Sequence, residues 1–262
     1  MDLHLSGRKA IVCASSRGLG KACAEALARE GVNIVINGRD KARLAEAKAD
    51  IERLQTENGA TVTAIAADIN TADGRAELIA ACPDADILVN NNEGPPPGAF
   101  QSYTQEQWDA ALTANLLAPA FMIQGLIEGM KERRFGRIIN ITSAMVKTPH
   151  PFMGLSTAAR SGLTALSKGI CKEAAPFNVT VNNLLPERFD TDRQKKMAQL
   201  MMAANNITYE EARAEICETI AAKRMGRPEE FGDACAFLCS AQAGFISGQN
   251  LQLDGGSYAG LI

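Results

Sequence analysis

The sequence predicts an α/β protein with a doubly wound parallel sheet. Short apolar segments, typical of strands buried on both faces, alternate with longer segments whose apolar residues recur at helical spacing. The first apolar segment leads through a glycine-containing turn into such a helical segment. Strands that alternate with helices in this way form parallel sheets, and their ligands bind beyond the carboxyl ends of the strands.

The first strand and helix lie within residues 9–27, KAIVCASSRGLGKACAEAL. Residues 10–12 form the apolar strand, and apolar residues return at helical spacing after Gly18 and Gly20. Such a turn directs backbone N–H groups and the positive end of a helix dipole at one point, where a phosphate can bind. The pattern favours a nucleotide pyrophosphate site, although glycines also collect in turns that bind nothing.

The second strand, residues 32–36, is followed by Arg39 and Asp40. A unit that binds NAD usually has an acidic residue about twenty residues past the glycine turn, where it holds the ribose 2′-hydroxyl. Arg39, together with Arg17 in the turn, would instead place two positive charges at the 2′-phosphate of NADP. These residues favour NADP over NAD. The alternative is that Asp40 only caps a helix over 41–57 and that Arg39 is solvated.

The remaining strands are predicted at 61–67, 86–90, 136–142, 179–184 and 251–253, and the remaining helices at 105–131, 152–175 and 229–240. Candidate ligand-binding residues follow four of these strands and are expected at one edge of the sheet. They are Asp68, Ile69, Asn90, Asn91, Ser143, Pro186, Phe189 and Thr191. The two asparagines could bond a neighbouring strand end instead of a ligand.

Two predicted helices carry further candidate residues. Asn115 is a polar residue in an apolar stretch of the helix over 105–131, where asparagine is unfavourable. It is therefore either a core amide with satisfied hydrogen bonds or a group of the site. Ser156 and Arg160 are four residues apart on the helix over 152–175 and share one face.

Residues 191–225 interrupt the alternation of strands and helices. This segment is rich in methionine and charged residues, and its place after the sixth strand is where a lid over the carboxyl edge would lie. The whole chain has 262 residues, of which 46% are hydrophobic, so one α/β domain with a large core fits its length.

Composition gives no sign of a nucleic-acid or membrane partner. The net charge is only −3, the opening residues MDLHLSGRK contain no apolar signal core, and no apolar run that could span a bilayer is expected. We therefore expect a soluble cytoplasmic protein. The seven cysteines contain no CxxC pair. Cys13, Cys23, Cys235 and Cys239 are expected to be small buried hydrophobic residues, not disulfides or metal ligands.

The chain resembles the short-chain dehydrogenase/reductase family over nearly its whole length, and most closely its acyl-carrier-protein ketoreductase-like members. The matching residues are Ser15, Ser16, Arg17, Gly18, Leu19, Gly20, Asn90, Asn91, Asn115, Ser143, Pro186 and Thr191, with the closing SGQNLQLDGG from Ser247. The resemblance implies a single Rossmann domain over residues 1–262 with a seven-stranded sheet. It also implies an NADP(H)-dependent oxidoreductase that acts on a small-molecule carbonyl or alcohol, assembled as a homotetramer or homodimer.

The main departure from the family is at its catalytic pair, because Ser156 and Arg160 stand where the family has Tyr and Lys. The Tyr exchanges the proton of the carbonyl or alcohol, and the Lys lowers its pKa and relays protons. A serine hydroxyl is far less acidic than a phenol, and an arginine keeps its proton at any working pH. None of Tyr103, Tyr209 and Tyr258 obviously replaces the missing phenol.

Three other positions where the family usually has glycine hold Ala14, Glu93 and Glu187. Ala14 is expected to narrow the turn only slightly. The two carboxylates either point to solvent, or one of them replaces the missing acid or binds substrate. His150 is the remaining acid–base candidate, although a lone loop histidine is more often a surface residue.

Two functions follow from these residues and the resemblance. In the first, the protein moves a hydride between NADPH and a carbonyl, with Ser143 and Ser156 bonding the oxygen and Arg160 facing the nicotinamide ribose. In the second, it binds NADP without ordinary redox turnover, as a sensor, a scaffold subunit or an enzyme of another reaction. The first is favoured because the cofactor motif and the lid segment are largely intact.

Overall fold

The computed structural model describes residues 1–54 and 59–261, which form a seven-stranded parallel sheet flanked by helices. The strands are β1 Lys9–Val12, β2 Asn33–Gly38, β3 Val62–Ala66, β4 Ile87–Asn90, β5 Gly136–Ile141, β6 Val179–Pro186 and β7 Asn250–Leu253. Their order across the sheet is β3-β2-β1-β4-β5-β6-β7. The predicted doubly wound parallel sheet is confirmed.

The helices connect the strands on both faces of the sheet. They are α1 Gly18–Arg29, α2 Lys41–Glu52, α3 Ala72–Ala81, α4 Gln105–Leu112, α5 Ala118–Glu132, α6 Gly154–Ala174, α7 Asp192–Asn205, α8 Tyr209–Glu218 and α9 Pro228–Cys239. Asp40 caps α2, as expected, because its side chain accepts a hydrogen bond from the Arg43 backbone N–H. The predicted helix over 41–57 is too long, since α2 ends at Glu52; Glu57 lies outside the described residues.

Two differences from the predicted helices bear on the site. The single helix expected over 105–131 contains a π-helical turn, Thr113–Leu117, between α4 and α5. Helix α3 has no counterpart among the predicted elements, because its apolar residues do not follow a clear helical stripe.

Two apolar cores lie on opposite faces of the sheet. In β1, Val12 packs into the core under α1, α2 and α9, whereas Ile11 packs into the core under α3, α5 and α6. Both side chains are fully buried, and burial of each contributes about 1.5–3 kcal/mol. This alternation accounts for the continuous apolar runs in the strands.

One continuous helical run in the described part of the chain, Gln105–Glu132, is long and apolar enough to cross a membrane. The expectation that no segment meets this criterion is therefore wrong. Within the run, Met122, Ile123 and Leu126 pack in the core under the sheet. The apolar composition of this run is thus that of a helix that covers a sheet face.

Cys13, Cys23, Cys235 and Cys239 are buried free thiols, which confirms their predicted role as small hydrophobic residues. Burial raises the pKa of the Cys13 thiol to about 12, so this thiol is unreactive at neutral pH.

A row of four asparagine side chains crosses the sheet from β4 to β7. Asn90 Nδ2 donates to Asn140 Oδ1 at 2.9 Å, Asn140 Nδ2 to Asn183 Oδ1 at 3.2 Å, and Asn183 Nδ2 to Asn250 Oδ1 at 2.8 Å. The same residues are paired in the strand register. Since buried amides must find partners, a slip of any of these strands would leave polar groups unsatisfied. The row therefore fixes the register of this half of the sheet.

Substitution of Asn140 by alanine is expected to lower the free energy of unfolding by about 2–4 kcal/mol, because it leaves Asn90 Nδ2 without its acceptor and Asn183 Oδ1 without its donor in the interior. Asn250→Ala, at the exposed end of the row, is the matched control and should cost about 1 kcal/mol or less. Urea denaturation measures both. Equal losses in the two variants would show that the row does not stabilise the sheet as described.

Candidate active site

The carboxyl ends of the parallel strands bring the predicted site residues to one edge of the sheet. The glycine turn follows β1, Asp68 and Ile69 follow β3, Asn91 follows β4, Ser143 follows β5, and Phe189 and Thr191 follow β6. This edge is where an open α/β sheet binds its ligands.

The turn between β1 and α1 has little room for side chains. A Cβ built on Gly20 lies 2.5 Å from the Ala14 carbonyl oxygen, so only glycine fits there. Gly18 has a φ of 57°, and the turn leads directly into the N-terminus of α1, which suits a bound pyrophosphate. The side chain of Asn91 supports the turn from the end of β4, since its Nδ2 donates to the Ala14 carbonyl at 3.1 Å.

The backbone conformation of Ala14 is less favourable than the sequence suggests. Its φ is 44°, which lies in the left-handed region that glycine tolerates and alanine does not. The expectation that its methyl group only narrows the turn is therefore wrong, because the cost lies in the backbone conformation.

Several predicted cofactor residues have side chains that shape the site and bond other parts of the protein. Ser15 Oγ donates to the Val12 carbonyl at 2.7 Å and accepts from the Asn37 N–H at 3.0 Å, which ties the turn to β2. Leu19 packs against the apolar core under α1, α2 and α9. The Asn90 amide belongs to the asparagine row, as the alternative of a bond to a neighbouring strand predicts. Ser16 lies close to Gly38, where an added Cβ would be 3.1 Å from its Oγ.

Arg17 and Arg39, the predicted 2′-phosphate ligands, both meet the carboxylate of Glu93. Arg39 Nη2 donates to Glu93 Oε2 at 3.1 Å, and Arg17 Nη2 lies 3.7 Å from Glu93 Oε1. Arg17 Nη1 is also 3.9 Å from Asp192 Oδ2. Glu93 is more than half exposed, but it does not simply point to solvent. Its carboxylate lies where the sequence predicts the phosphate.

The backbone of Glu93 also contacts the predicted catalytic residue Asn115. Asn115 lies in the π-helical turn and is buried, and its Nδ2 donates to the Glu93 carbonyl at 3.3 Å and to the Ala111 carbonyl at 3.4 Å. π-Helical turns occur frequently at functional sites. The loop after β4 thus contacts Arg17 and Arg39 through the Glu93 carboxylate and Asn115 through the Glu93 carbonyl. The space along this edge of the sheet, between the glycine turn and the start of α7, is called the cleft below.

Ser156 and Arg160 lie on α6, and Arg160 reaches the end of β5. Its Nη1 donates to the carbonyl of Thr142, the residue directly before Ser143, and to the carbonyl of Ile141 at 3.3 Å. Ser156 is 5% exposed, and its hydroxyl forms no hydrogen bond with any residue in the described ranges. Ser143 Oγ accepts from the Met145 N–H at 3.2 Å.

Burial, with a smaller contribution from the charge of Arg193, lowers the pKa of Arg160 to about 10. The guanidinium therefore keeps its proton at neutral pH. It can supply a positive charge at the end of β5, but it cannot relay protons as a lysine does.

The other acid–base candidates are held in different ways. His150 is exposed, and its Nδ1 accepts from the Phe152 N–H at 3.3 Å, so it caps a short 3₁₀ turn. Glu187 is partly buried at the end of β6, where burial raises the pKa of its carboxyl although the charge of Arg188 opposes this shift. Tyr103 donates its hydroxyl to the Gly98 carbonyl at 2.6 Å.

Helices α7 and α8 form a small unit beside the cleft. Ala198, Ala212 and Ile216 pack in a core of their own. The unit is tied to the loop after β6 by Arg213, whose Nη1 and Nη2 lie 3.0 and 2.9 Å from the two Asp190 carboxylate oxygens. In the same loop Phe189 packs edge-on against Phe231 at 5.3 Å between ring centres. Thr191 precedes α7 and forms no side-chain cap, so its hydroxyl remains available to a ligand.

A cavity of about 380 Å³ lies between the glycine turn and the start of α7. Its lining includes Ser16, Arg17 and Gly18 from the turn, and Thr191 and Asp192 from the other side. Backbone N–H groups, a helix N-terminus and an arginine are suitable ligands for phosphate. The residues present therefore fit a dinucleotide.

Comparison with known proteins gives consistent matches over nearly the whole chain. A family model described as enoyl-(acyl carrier protein) reductase matches residues 13–258. The NADPH-dependent reductase BacG of Bacillus subtilis is 35% identical over 257 residues, which are 97% of this chain and 98% of that protein.

Two solved structures have the same fold over their whole length. YwfH, an NADPH-dependent reductase involved in bacilysin biosynthesis, superposes with a TM-score of 0.90 at 33% identity and covers 98% of this chain and 100% of its own. L-sorbose reductase from Gluconobacter frateurii, complexed with NADPH and L-sorbose, has a TM-score of 0.93 at 28% identity and covers 100% of both chains.

Two substitutions test the charge arrangement around Arg39. Arg39→Asp should weaken NADPH binding and abolish the preference over NADH, because it places a carboxylate against the 2′-phosphate. Glu93→Gln should act in the opposite direction and tighten NADPH binding by about 0.2–1 kcal/mol, since it removes the carboxylate that competes for both arginines. Isothermal calorimetry with each cofactor measures these changes.

NADH binding is the internal control, because a cofactor without the phosphate should be nearly insensitive to Glu93→Gln. Equal affinity of the parent protein for NADPH and NADH, or weaker NADPH binding in Glu93→Gln, would contradict the assignment of these arginines.

Proposed function

The chain belongs to the short-chain dehydrogenase/reductase family, and on that basis we propose that it is a carbonyl reductase or alcohol dehydrogenase with an atypical site of Ser143, Ser156 and Arg160. It is an NADP-dependent oxidoreductase, as are the reductases it resembles over its whole length. The proposed site of Ser143, Ser156 and Arg160 is supported by the position of Arg160, whose guanidinium contacts the end of β5 beside Ser143. A small-molecule carbonyl or alcohol is the proposed substrate.

Bound NADPH supplies the hydride, so the protein must position the substrate and stabilise its oxygen. Ser143 and Ser156 donate hydrogen bonds to that oxygen, and the hydroxyl of Ser156, which is 5% exposed, has no partner to give up among residues 1–54 and 59–261. Arg160 contacts the nicotinamide ribose and adds a positive charge near the developing negative charge. Asn115 holds the loop after β4 in place through the Glu93 carbonyl.

The missing tyrosine lowers the rate without abolishing the reaction. Loss of a general acid removes typically about 10²- to 10⁴-fold in rate. Water or a group of the substrate supplies the proton in this proposal, because His150 is exposed and occupied as a cap.

The second candidate is an NADP-binding protein without ordinary redox turnover. This candidate is favoured by the residues at the positions of the family's Tyr and Lys, since neither Ser156 nor the permanently charged Arg160 can take over their acid–base role. The two candidate functions differ in the carbonyl reduction expected when Tyr and Lys are restored at positions 156 and 160.

We further propose a single cytoplasmic domain that assembles as a homotetramer or homodimer through α5 and α6, in agreement with the family resemblance. Phe121 on α5 and Leu166 on α6 are exposed apolar side chains, at 46% and 39%, that such an interface would cover. The free cysteines suit a reducing compartment. Residues 191–225, which contain α7 and α8, are proposed as the lid.

The double substitution Ser156→Tyr with Arg160→Lys should increase reduction of simple ketones, because it returns a phenol and a proton-relaying ammonium to one helix face. Ser143→Ala should reduce the parent activity. NADPH oxidation followed by absorbance measures both, with Ser156→Phe as the control for added ring volume. A parent protein that oxidises NADPH no faster than buffer across a broad carbonyl panel, together with an inactive double variant, would support the second candidate instead.

The proposed lid should be less protected from hydrogen exchange than the sheet in the free protein, and it should gain protection when cofactor and substrate bind. Exchange read by mass spectrometry can follow peptides from α7 and α8, with peptides from α9 as the reference. Unchanged exchange over 191–225 at saturating ligand would identify the segment as a fixed element.

A further inference from the structure

Two arginine side chains from different helices converge beside Gly94, on the loop after β4. A Cβ built on Gly94 lies 3.3 Å from Arg160 Nη2 and 3.3 Å from Arg193 Nη1. Arg160 belongs to α6 and Arg193 to the first turn of α7. A side chain at position 94 would therefore fill a small space that both guanidiniums border.

No acidic side chain in the described ranges pairs with either arginine. The nearest acids in sequence are Glu93 and Asp192, and both are engaged elsewhere. Glu93 meets Arg17 and Arg39, while Asp192 lies 3.9 Å from Arg17 and 3.5 Å from Lys195. The cleft thus holds one arginine pair with carboxylate partners and a second pair, Arg160 and Arg193, without any.

Arg160 is an unfavourable residue to leave without an anion. In the part of the chain that the structure describes, its buried Nε has no hydrogen-bond partner and its Nη1 bonds only to backbone carbonyls. A second positive charge nearby adds repulsion, which a bound anion would relieve. Two guanidiniums that border one space suit a carboxylate, because Arg160 Nη2 and Arg193 Nη1 both face that space and can each donate a charge-assisted hydrogen bond to one of its oxygens.

We propose that Arg160 and Arg193 form a subsite for a carboxylate of the substrate, so that the substrate class is oxo acids for reduction and hydroxy acids for oxidation. This inference rests on the proposed function. The position supports a substrate group, since Arg160 contacts the backbone directly before Ser143, the proposed ligand of the reacting oxygen. The cofactor pyrophosphate has its own predicted place at the glycine turn.

The step is an ordinary two-electron reduction. The carbonyl carbon of the oxo acid accepts the hydride of NADPH, its oxygen accepts a proton from water, and the products are the hydroxy acid, NADP⁺ and hydroxide. The carboxylate is unchanged and serves only to hold the substrate.

The test compares Arg193→Gln with the parent on straight-chain oxo acids and on their methyl esters, by NADPH oxidation. Arg193→Gln should raise KM for the acids about tenfold, as expected for a lost bond between charged groups, and should leave KM for the esters and the Kd of NADPH unchanged. Lys196→Gln, which removes another exposed positive charge from the same helix three residues further on, is the matched control and should behave as the parent. Arg193→Lys should recover part of the loss.

Three outcomes would overturn the proposal. Unchanged KM values for the acids, or equal increases for acids and esters, would exclude recognition of the carboxylate. An increase in the Kd of NADPH as large as that in KM would assign the pair to a cofactor phosphate.

Calorimetric titration of oxamate into the NADP⁺ complex separates this proposal from the proposed function, because it requires no turnover. Binding that depends on Arg193 in a protein that reduces nothing would retain the subsite and reject the reductase. Reduction of neutral ketones by a protein that binds no oxamate would retain the reductase and reject the subsite.

Discussion

The site depends on the register of β4 to β7, which one row of asparagine side chains fixes. Because these amides are mostly buried, each bond of the row would be lost by a slip of its strand, and the cost would be that of unpaired polar groups. The loop that leaves β4 after Asn90 then supplies three contacts in sequence order. Asn91 supports the glycine turn, Glu93 meets Arg17 and Arg39, and Gly94 makes room for Arg160 and Arg193.

The charge distribution along this edge distinguishes two halves of the cleft. In one half, Glu93 replaces the glycine usual in the family and partly neutralises the arginines that favour NADP. In the other half, Arg160 remains charged and has Arg193 as a neighbour. We propose that a site with Ser156 and Arg160 at these positions, and so without a strong general acid, relies more on electrostatic positioning of the substrate oxygen.

The sheet and most helices could be predicted from the sequence because buried strands and amphipathic helices have a local period. The strand ends also predict that the candidate site residues lie at one edge of the sheet, and the structure has them at that edge. The π-helical turn at Asn115 could not be predicted, since nothing local separates it from a continuous α-helix. Nor could the partners of Glu93 or the position of Arg193, because both depend on loops that meet only in the fold. Ala14 could have been predicted, because an alanine at a position where the family has glycine indicates a backbone conformation that alanine resists.

We propose that this chain transfers a hydride to a carbonyl with Ser156 and Arg160 at the positions where the family has Tyr and Lys. The most direct measurement uses NADPH deuterated at both hydrogens of the nicotinamide C4 with a mixed panel of oxo acids and neutral ketones, and mass spectrometry of the recovered products. Hydride transfer places one deuterium on the carbon that bears the new hydroxyl group, and this is the result we expect. NADPH binding with no deuterium at that carbon in any product would contradict it.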